Sequence, residues 1–142
     1  MSNIQQRIAD SFAAQGLMTT LGAQLLSVAD GEVQIALPFS LHLSQQQGFH
    51  HAGATTTILD NACGYAALTR APAGHEVVTV EFKVNFVRPA IGERFVAIGR
   101  VQNAGRSLAV CSGEVLAFSG GGSKVVALMQ ATMAYVAVQP AS

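Results

Sequence analysis

The sequence predicts an α+β domain in which one long helix packs against one antiparallel sheet. Residues 52–70 have a helical pattern that follows a polar loop and ends at Pro72 and Gly74. From residue 78 onward, apolar and polar residues alternate with a period of two, which is typical of strands. The strand connections are short, and short connections allow antiparallel pairing.

The chain begins with a predicted short helix and a hairpin. Apolar residues at every fourth position over 4–12 indicate an amphipathic helix that ends near Gly16. Two strands are predicted at 22–28 and 32–37, on either side of Ala-Asp-Gly at 29–31. Such a turn is a hairpin signal, because glycine adopts positive φ readily.

The long helix is predicted over Ala52–Arg70, although three consecutive threonines at 55–57 are weak helix formers. One side offers a set of apolar residues to the core: Ile58, Leu59, Ala62 and Ala66. Helical spacing places Asp60 in a stripe of small residues: Thr56, Thr57, Cys63, Gly64 and Ala67. A stripe of this kind lets another surface approach the helix backbone.

The second half of the chain is predicted to form four strands: Val78–Phe86, Arg94–Val101, Leu108–Phe118 and Val125–Val138. Asn-Ala-Gly-Arg at 103–106 makes a hairpin turn, and Ser-Gly-Gly-Gly-Ser at 119–123 is predicted to be a flexible connection. The sequence has no repeat and no long linker, so residues 1–142 are predicted to form a single domain.

Composition limits the possible partners. Only 11% of the residues are charged, which suggests that other subunits cover part of the surface. The net charge of zero argues against nucleic acid, and no apolar run is long enough to span a membrane. The polar N-terminus resembles no signal peptide, and the two cysteines form no disulfide framework. These features predict a cytoplasmic protein with reduced thiols.

Asp60 is the first candidate for chemistry. Its neighbours are apolar and small, and an isolated buried carboxylate costs several kcal/mol unless it is hydrogen-bonded or paired. It could act as a general base or nucleophile. It could equally cap a neighbouring loop or take part in an interface, and burial arguments do not separate these interpretations.

The helix start at His51-Ala52-Gly53 is the second candidate. No Ser, Thr, Asp or Asn occupies the expected cap position, so the first backbone N–H groups lack an obvious local acceptor. Free donors at the positive end of a helix suit a carbonyl oxygen that gains negative charge. In the alternative, which the sequence alone favours, Gln47 or water satisfies these donors.

The adjacent histidines His50 and His51 invite a metal interpretation. However, neighbouring side chains point in different directions, and no further ligand stands at a helical spacing. We therefore predict imidazoles that have structural or substrate-positioning roles, and no metal or other cofactor. Cys63 is predicted to be a packing residue, since no histidine is placed beside it by sequence.

At these residues the sequence resembles the hotdog-fold thioesterases, in particular the phenylacetic-acid-degradation (PaaI-like) branch. The branch motif HGG-x(6)-D is similar to His51-Ala52-Gly53 followed by Asp60. The strand pattern that follows it is also present, as Thr79, Phe86, Pro89 and, one position early, Gly92. The Gly-Arg hairpin corresponds to Gly105-Arg106, and the resemblance covers about residues 15–137.

The resemblance implies a hotdog fold, with a long central helix wrapped by a curved antiparallel sheet of five to six strands and a short N-terminal helix. It implies that Asp60 is the catalytic carboxylate, which activates water or attacks the thioester. Ala52 stands at the glycine whose backbone N–H polarises the thioester carbonyl, and an alanine keeps that donor. His51 would hold the loop and the ligand, Gln45 would position the nucleophile, and Thr79 would face the same site.

The family also implies substrate-binding residues and an assembly. Gly53 belongs to the helix start that binds the thioester, and Arg88 and Arg106 are candidates for the coenzyme A phosphates. The family forms homodimers that pair into homotetramers, and its active site lies between subunits. Asp60 of one chain would then face His51 and Gln45 of its partner.

Three functions follow from these observations. The first is hydrolysis of an acyl-CoA thioester to free acid and coenzyme A. The second is hydration or dehydration of an acyl thioester, which usually needs a paired acid and base. The third is acyl-CoA binding without catalysis, which the alanine at position 52 keeps open.

Overall fold

The structure is a computed structural model that describes residues 2–138. Its helices are α1 (Asn3–Ala14), α2 (Gly16–Leu21) and α3 (Ala52–Leu68), with a one-turn 3-10 helix at Leu41–Leu43. Its strands are β1 (Gln24–Ala29), β2 (Glu32–Pro38), β3 (His75–Phe86), β4 (Arg94–Ala104), β5 (Leu108–Ser119) and β6 (Gly122–Ala137). The α+β prediction is confirmed.

The six strands form one sheet in the order β1-β2-β4-β5-β6-β3, and every neighbouring pair is antiparallel. The chain therefore leaves β2, passes through α3, and places β3 at the far edge of the sheet. Between residues 2 and 138, the outer side of β3 pairs with no other strand. β3 is twelve residues long, so this is a long open edge.

Helix α3 packs against strands β2 to β6, which requires the sheet to curve around it. Two glycines permit this close approach. A Cβ on Gly113 would lie 2.7 Å from Leu59 Cδ1, and a Cβ on Gly99 would clash with the backbone of Ala62. The small residues of the helix and the glycines of the sheet therefore fit together as one layer of the core.

The burial of α3 confirms part of the predicted face pattern. Ile58, Leu59, Ala62 and Ala66 are fully buried, as expected. The assignment of Cys63 and Ala67 to the stripe that carries Asp60 is wrong, because both are also fully buried in the core. The exposed stripe instead consists of partly exposed residues on one face: Ala52, Gly53, Thr56, Thr57, Asp60, Asn61 and Gly64.

The three threonines fit the helix through local hydrogen bonds. Thr56 Oγ1 donates to Ala52 O and Thr57 Oγ1 donates to Gly53 O, both at 2.8 Å. Thr55 is buried instead. These bonds give the hydroxyl groups partners in the backbone one turn earlier. The helix itself is stabilised by the packing of its buried face against the sheet.

Several boundaries differ from the predictions. The first helix stops at Ala14, and α2 follows it and ends at Gly22, which has φ 76°. Residues 119–123 are not a flexible linker, because β6 already begins at Gly122 and a tight turn at Gly120-Gly121 joins it to β5. Strand β3 begins three residues before the predicted Val78. The helices within residues 2–138 lack the length and hydropathy of a bilayer-spanning segment.

The predicted domain 1–142 includes Met1 and residues 139–142, which lie outside the described residues.

Candidate active site

Helix α3 begins with a histidine cap that the sequence interpretation missed. His51 is the N-cap residue, with φ −62° and ψ 139°, and its Nδ1 accepts a hydrogen bond from the Gly53 N–H at 2.8 Å. The expectation that no local side chain caps the helix is therefore wrong. Because Nδ1 is the acceptor in this bond, the neutral ring carries its proton on Nε2 and presents a donor there.

The cap leaves one backbone donor open. Ala54 N–H donates to His51 O at 3.0 Å and Gly53 N–H is used by the cap, whereas the Ala52 N–H has no acceptor among the described residues. Ala52 is the first residue of α3, so its N–H lies at the positive end of the helix dipole. Of the donors predicted at 51–53, the amide of Ala52 is the one that a substrate oxygen could use.

A cavity of about 290 Å³ lies at this helix start. It brings together Gln45, His51, Ala52 and Arg88 from the predicted site, and Phe86 at the end of β3 forms part of its wall. The Gln45 amide is held by its own loop, because Nε2 donates to Gln47 Oε1 at 3.1 Å and Oε1 accepts from the Gln47 N–H. Arg88 Nη1 donates to Val125 O at 2.7 Å, which fixes the guanidinium beside the cavity.

His50 has a structural role, as expected. Its ring is 2% exposed and stacks between Phe39 and Phe95, with ring centroids 5.0 and 4.5 Å away. Nε2 accepts a hydrogen bond from Ser40 N–H at 3.0 Å. Burial lowers the pKa of His50, so the ring stays neutral and anchors the loop that precedes α3.

Asp60 lies in the middle of α3 and is half-buried. Its Oδ1 accepts a hydrogen bond from Thr79 Oγ1 on β3 at 2.8 Å, and it forms no ion pair with a residue in the range 2–138. Burial raises the pKa of Asp60, and the hydrogen bond from Thr79 partly opposes this. A carboxylate with a raised pKa is a stronger base than an ordinary aspartate, which suits it to accept a proton from water.

A second cavity, of about 240 Å³, lies beside Asp60. Helix α1, helix α3 and strand β3 each contribute to its wall. The lining residues are Ser11, Gln15, Asp60, Asn61, Gly64, Tyr65, Leu68, Glu76, Val77 and Thr79. Most of them are polar, so the space next to the carboxylate differs from an ordinary apolar pocket.

The predicted site residues therefore fall into two groups on one chain. Asp60 and Thr79 form one group, and the residues at the helix start form the other. Ala52 and Asp60 are eight residues apart in α3, a rise of about 12 Å along the axis. This distance is too long for both to act on one carbonyl group. Arg106 lies in the exposed turn between β4 and β5 and lines neither cavity.

Three residues beside Asp60 were missed by the sequence interpretation: Gln15, Asn61 and Tyr65. Asn61 follows Asp60 directly, and Tyr65 lies one turn beyond Asn61 on the same side of the helix. Helical spacing could therefore have indicated these two residues. Gln15 could not be found in this way, because it belongs to another element and reaches the site only through the packing of the folded chain.

The two cysteines do not take part in either group. Cys63 and Cys111 are fully buried, and Cys111 Sγ donates to Cys63 O at 3.5 Å. Burial raises the pKa of the Cys63 thiol, and that of Cys111 to about 11, so both are neutral at ordinary pH. Within residues 2–138, no three His, Cys, Asp or Glu side chains converge on one point, so this part of the chain outlines no metal site.

The fold and the site together define a class of protein. A long helix held in a curved six-stranded antiparallel sheet is the hotdog arrangement. An open amide at the start of the helix and a carboxylate at its middle are the groups expected of an acyl-transfer hydrolase.

Comparison with known proteins agrees with this class. The Thioesterase superfamily model matches residues 47–124, which is more than half of the chain. A thioesterase family protein from Silicibacter pomeroyi is 43% identical, with 96% of this chain and 100% of that one aligned at a TM-score of 0.94. The chain therefore belongs to the thioesterase superfamily, whose members hydrolyse thioesters.

More distant relatives extend the comparison. A protein from Thermoplasma volcanium, named provisionally as an esterase, is 30% identical over 77% of this chain and 80% of its own length. A protein from Halobacterium salinarum, also provisionally an esterase, is 29% identical over 67% of this chain and 66% of its own length. The E. coli PaaI protein of the phenylacetic acid degradation operon shares the fold, with a TM-score of 0.82 at 18% identity and coverage of 94% and 93%.

Proposed function

We propose that the protein hydrolyses an acyl-CoA thioester to a free acid and coenzyme A. The observation that carries this proposal is the half-buried carboxylate of Asp60, which has a raised pKa and a hydrogen bond from Thr79, in a fold whose central helix leaves the Ala52 amide open. Coenzyme A is part of the substrate, and the proposed reaction uses no cofactor.

The reaction has two steps. The thioester carbonyl accepts a hydrogen bond from the Ala52 N–H, and the helix dipole favours the negative charge that develops on the oxygen. Asp60 either takes a proton from an attacking water or attacks the carbonyl carbon itself. The carbon–sulfur bond then breaks and coenzyme A leaves as a thiolate, which is a good leaving group and takes up a proton from solvent. If water attacked, the free acid forms in this step and Asp60 releases its proton to solvent. If Asp60 attacked, water then hydrolyses the resulting acyl–aspartyl anhydride, which releases the free acid and restores the carboxylate.

The active site is proposed to form between two copies of the chain. Strand β3 runs from Thr79, beside the Asp60 cavity, to Phe86, in the wall of the helix-start cavity. If the open edges of two β3 strands pair antiparallel about a two-fold axis, the Asp60 cavity of one copy approaches the helix-start cavity of the other.

The exposed surface of β3 supports this pairing. Four of its apolar side chains are between 42% and 58% exposed: Val78, Val80, Phe82 and Phe86. An edge strand that is both long and apolar is normally covered by a partner. A second apolar cluster is formed by Ala36, Val96 and Ile98 with Leu116 and Phe118, and its three central members are buried within one chain. The assembly of such dimers into a homotetramer is therefore proposed from the family resemblance.

The remaining residues are assigned to binding. The His51 Nε2–H and the Gln45 amide lie beside the Ala52 donor and would orient the thioester and the nucleophile. Gly53 shapes the same turn, although its own N–H is occupied by the cap. Arg88 is placed to meet a coenzyme A phosphate, whereas Arg106 would have to reach a phosphate from another copy. The proposed location is the cytoplasm.

Subunit mixing tests the proposal. Asp60→Asn removes the carboxylate, and Ala52→Pro removes the amide donor, so each variant alone is expected to be nearly inactive. After the subunits exchange, each mixed dimer holds one intact site, and random pairing should restore about a quarter of the native activity. As controls, each variant is carried alone through the same unfolding and refolding procedure.

Two outcomes would contradict the proposal. If exchange is verified by mass and no activity returns, the site does not form between subunits. If native protein hydrates enoyl-CoA or retains acyl-CoA intact in a calorimetric titration without releasing thiol, the protein is a hydratase or a binding protein instead.

A further inference from the structure

We propose that the cavity beside Asp60 is an acyl subsite for short acyl groups that carry a hydrogen-bond donor, such as a hydroxyl group, at their far end. Gln15 is the residue that determines this specificity. The inference rests on the proposed thioesterase function and deepens it, because it names the class of acyl group that the site accepts.

In the polar wall of the cavity, the donor and the acceptor of each amide hydrogen bond can be assigned. Asn61 Nδ2 donates to Thr57 O at 3.3 Å, which turns Asn61 Oδ1 toward α1. Gln15 Nε2 donates to that oxygen at 2.7 Å and to Tyr65 OH at 2.5 Å. Both donors of the Gln15 amide are therefore used by the protein.

The same arrangement leaves an acceptor for a ligand. Gln15 Oε1 has no hydrogen-bond partner among the described residues, and reversing the amide would place two acceptors, Gln15 Oε1 and Asn61 Oδ1, against each other. Gln15 lines the cavity and its oxygen can be reached by water, so this oxygen is an acceptor that a donor on a ligand could use in place of water. The carboxylates of Asp60 and Glu76 also line this space, and that of Glu76 is paired with Arg7 at 2.7 Å. An acyl group that ends in a carboxylate would therefore meet acceptors and the negative charge of Asp60.

An acyl group that ends in a methyl group is disfavoured for a related reason. It would displace water from Gln15 Oε1 without replacing the hydrogen bond, and an acceptor left unsatisfied is costly. A site built to hydrogen-bond a hydroxyl group rejects the analogue that lacks it more strongly than an apolar pocket rejects an added hydroxyl group. Leu68 and Val77 supply apolar wall for the carbons of the chain.

Gly64 keeps the cavity open. It lies one turn after Asp60, and a Cβ at this position would meet no heavy atom within 4 Å. Glycine inside a helix costs about 1 kcal/mol relative to alanine. Helix packing therefore does not account for Gly64, in contrast to Gly99 and Gly113, where the helix and the sheet touch. The glycine at position 64 instead leaves open the space next to the Asp60 carboxylate.

A panel of matched substrates tests the inference. Each ω-hydroxyacyl-CoA ester of four to six carbons is compared with the alkyl ester in which a methyl group replaces the hydroxyl group. We expect native protein to prefer the hydroxy ester by at least about tenfold in kcat/KM at the best chain length. We expect Gln15→Met, a change of similar length, to remove the preference, because it removes the acceptor.

Gln6→Met is the matched control, because Gln6 lies on α1, the helix that ends just before Gln15, and its exposed side chain donates to Asp10 Oδ1 instead of lining the cavity. It should leave the preference unchanged. Gln15 makes no capping bond to α2, so Gln15→Met should fold, and thermal unfolding checks this. Gly64→Ala gives a second test, since it should stabilise the helix while lowering kcat/KM for the longest esters relative to the shortest.

The inference is overturned if native protein cleaves both members of every pair equally, or if Gln15→Met and Gln6→Met show the same preference. It is also overturned if Gly64→Ala leaves the chain-length profile unchanged. These results differ from failure of the proposed function, in which native protein would release no thiol from any acyl-CoA ester, whether aryl or alkyl and inside or outside this panel. That result would remove both proposals.

Discussion

The start and the middle of helix α3 contribute to the candidate site in different ways. At the start, the useful group is a backbone amide, and side chains serve to cap and shape the turn around it. In the middle, the useful group is the side chain of Asp60, and its environment is set by burial and by Thr79. We therefore expect substitution to be tolerated at position 52, where alanine keeps the backbone amide, but not at Asp60.

Under the proposed function, this difference would also explain why a complete site needs two chains. The amide must lie at the first turn, where helix hydrogen bonding leaves it free, and the carboxylate must lie where the helix is packed against the sheet. The two requirements place the groups about 12 Å apart on one chain. Variants of each region should show which effects belong to the backbone and which to the side chain.

The largest effect is expected for Asp60→Asn. We expect kcat to fall by about 10² or more with little change in KM, because the base or nucleophile is lost. Because the pKa of Asp60 is raised in the folded protein, the protonated carboxyl group stabilises the fold relative to the ionised one. That stabilisation is fully present below the unfolded pKa and is lost as the pH rises through the folded pKa. At pH 7 the variant should therefore melt at the same temperature as native protein or higher. A large loss of stability at pH 7 would contradict this assignment.

Ala52→Pro should give the next largest effect. Proline is well tolerated at the first position of a helix, and the φ and ψ of His51 suit a residue that precedes proline. The variant should fold normally while kcat falls by about 10²–10³, the usual cost of one oxyanion donor. Ala52→Gly is the control, since it keeps the amide and should remain near native. Equal activity of the two variants would show that the amide is not used.

Thr79→Val should have a smaller effect that depends on pH. The hydrogen bond from Thr79 opposes the rise in the pKa of Asp60, so its removal should raise that pKa further. Because the carboxylate is the active form, the acidic limb of kcat/KM should move to higher pH. A profile from pH 4 to 9 measures the shift, and Thr79→Ser, which retains the hydroxyl group, should restore it. If the acidic limb of kcat/KM does not move, the hydrogen bond from Thr79 does not influence the catalytic carboxylate.

The smallest effect on activity is expected at the cap. His51→Ala should lower the free energy of unfolding by about 1 kcal/mol, because the acceptor for the Gly53 N–H is lost. His51→Asn supplies another acceptor at the cap but no Nε2–H donor. We therefore expect the free energy of unfolding of His51→Asn, measured by denaturant melts, to return to the native value. Its KM should stay above the native KM, as in His51→Ala, because both variants lack the Nε2–H donor. Recovery of both would assign His51 to capping alone.

The sequence predicted what depends on local patterns. Alternation over residues 78–86 and the helical pattern from Ala52 were sufficient for the fold class, and the motif spacing was sufficient to indicate Asp60. The family resemblance, and not any local pattern, implied that Thr79 faces the same site as Asp60. The hydrogen bond between the two residues agrees with it.

The sequence could not predict what depends on packing. Helix α2 is six residues long, too short to show a periodic pattern. The cap at His51 was missed because histidine is not among the common N-cap residues, although its Nδ1 can reach the same amide. Gln15 and Asn61 are 46 residues apart, and only the packing of the N-terminal segment against α3 brings them together.

The open edge of β3 has a consequence for handling the protein. β3 is twelve residues long, and about half of its N–H and C=O groups point to the outer side, where they pair with no strand of the described residues. With exposed valines and phenylalanines beside them, these groups would template the addition of further strands from unrelated or misfolded chains. A substitution that disrupts the pairing of this edge should consequently appear as turbidity and poor recovery from expression rather than as a well-behaved single chain.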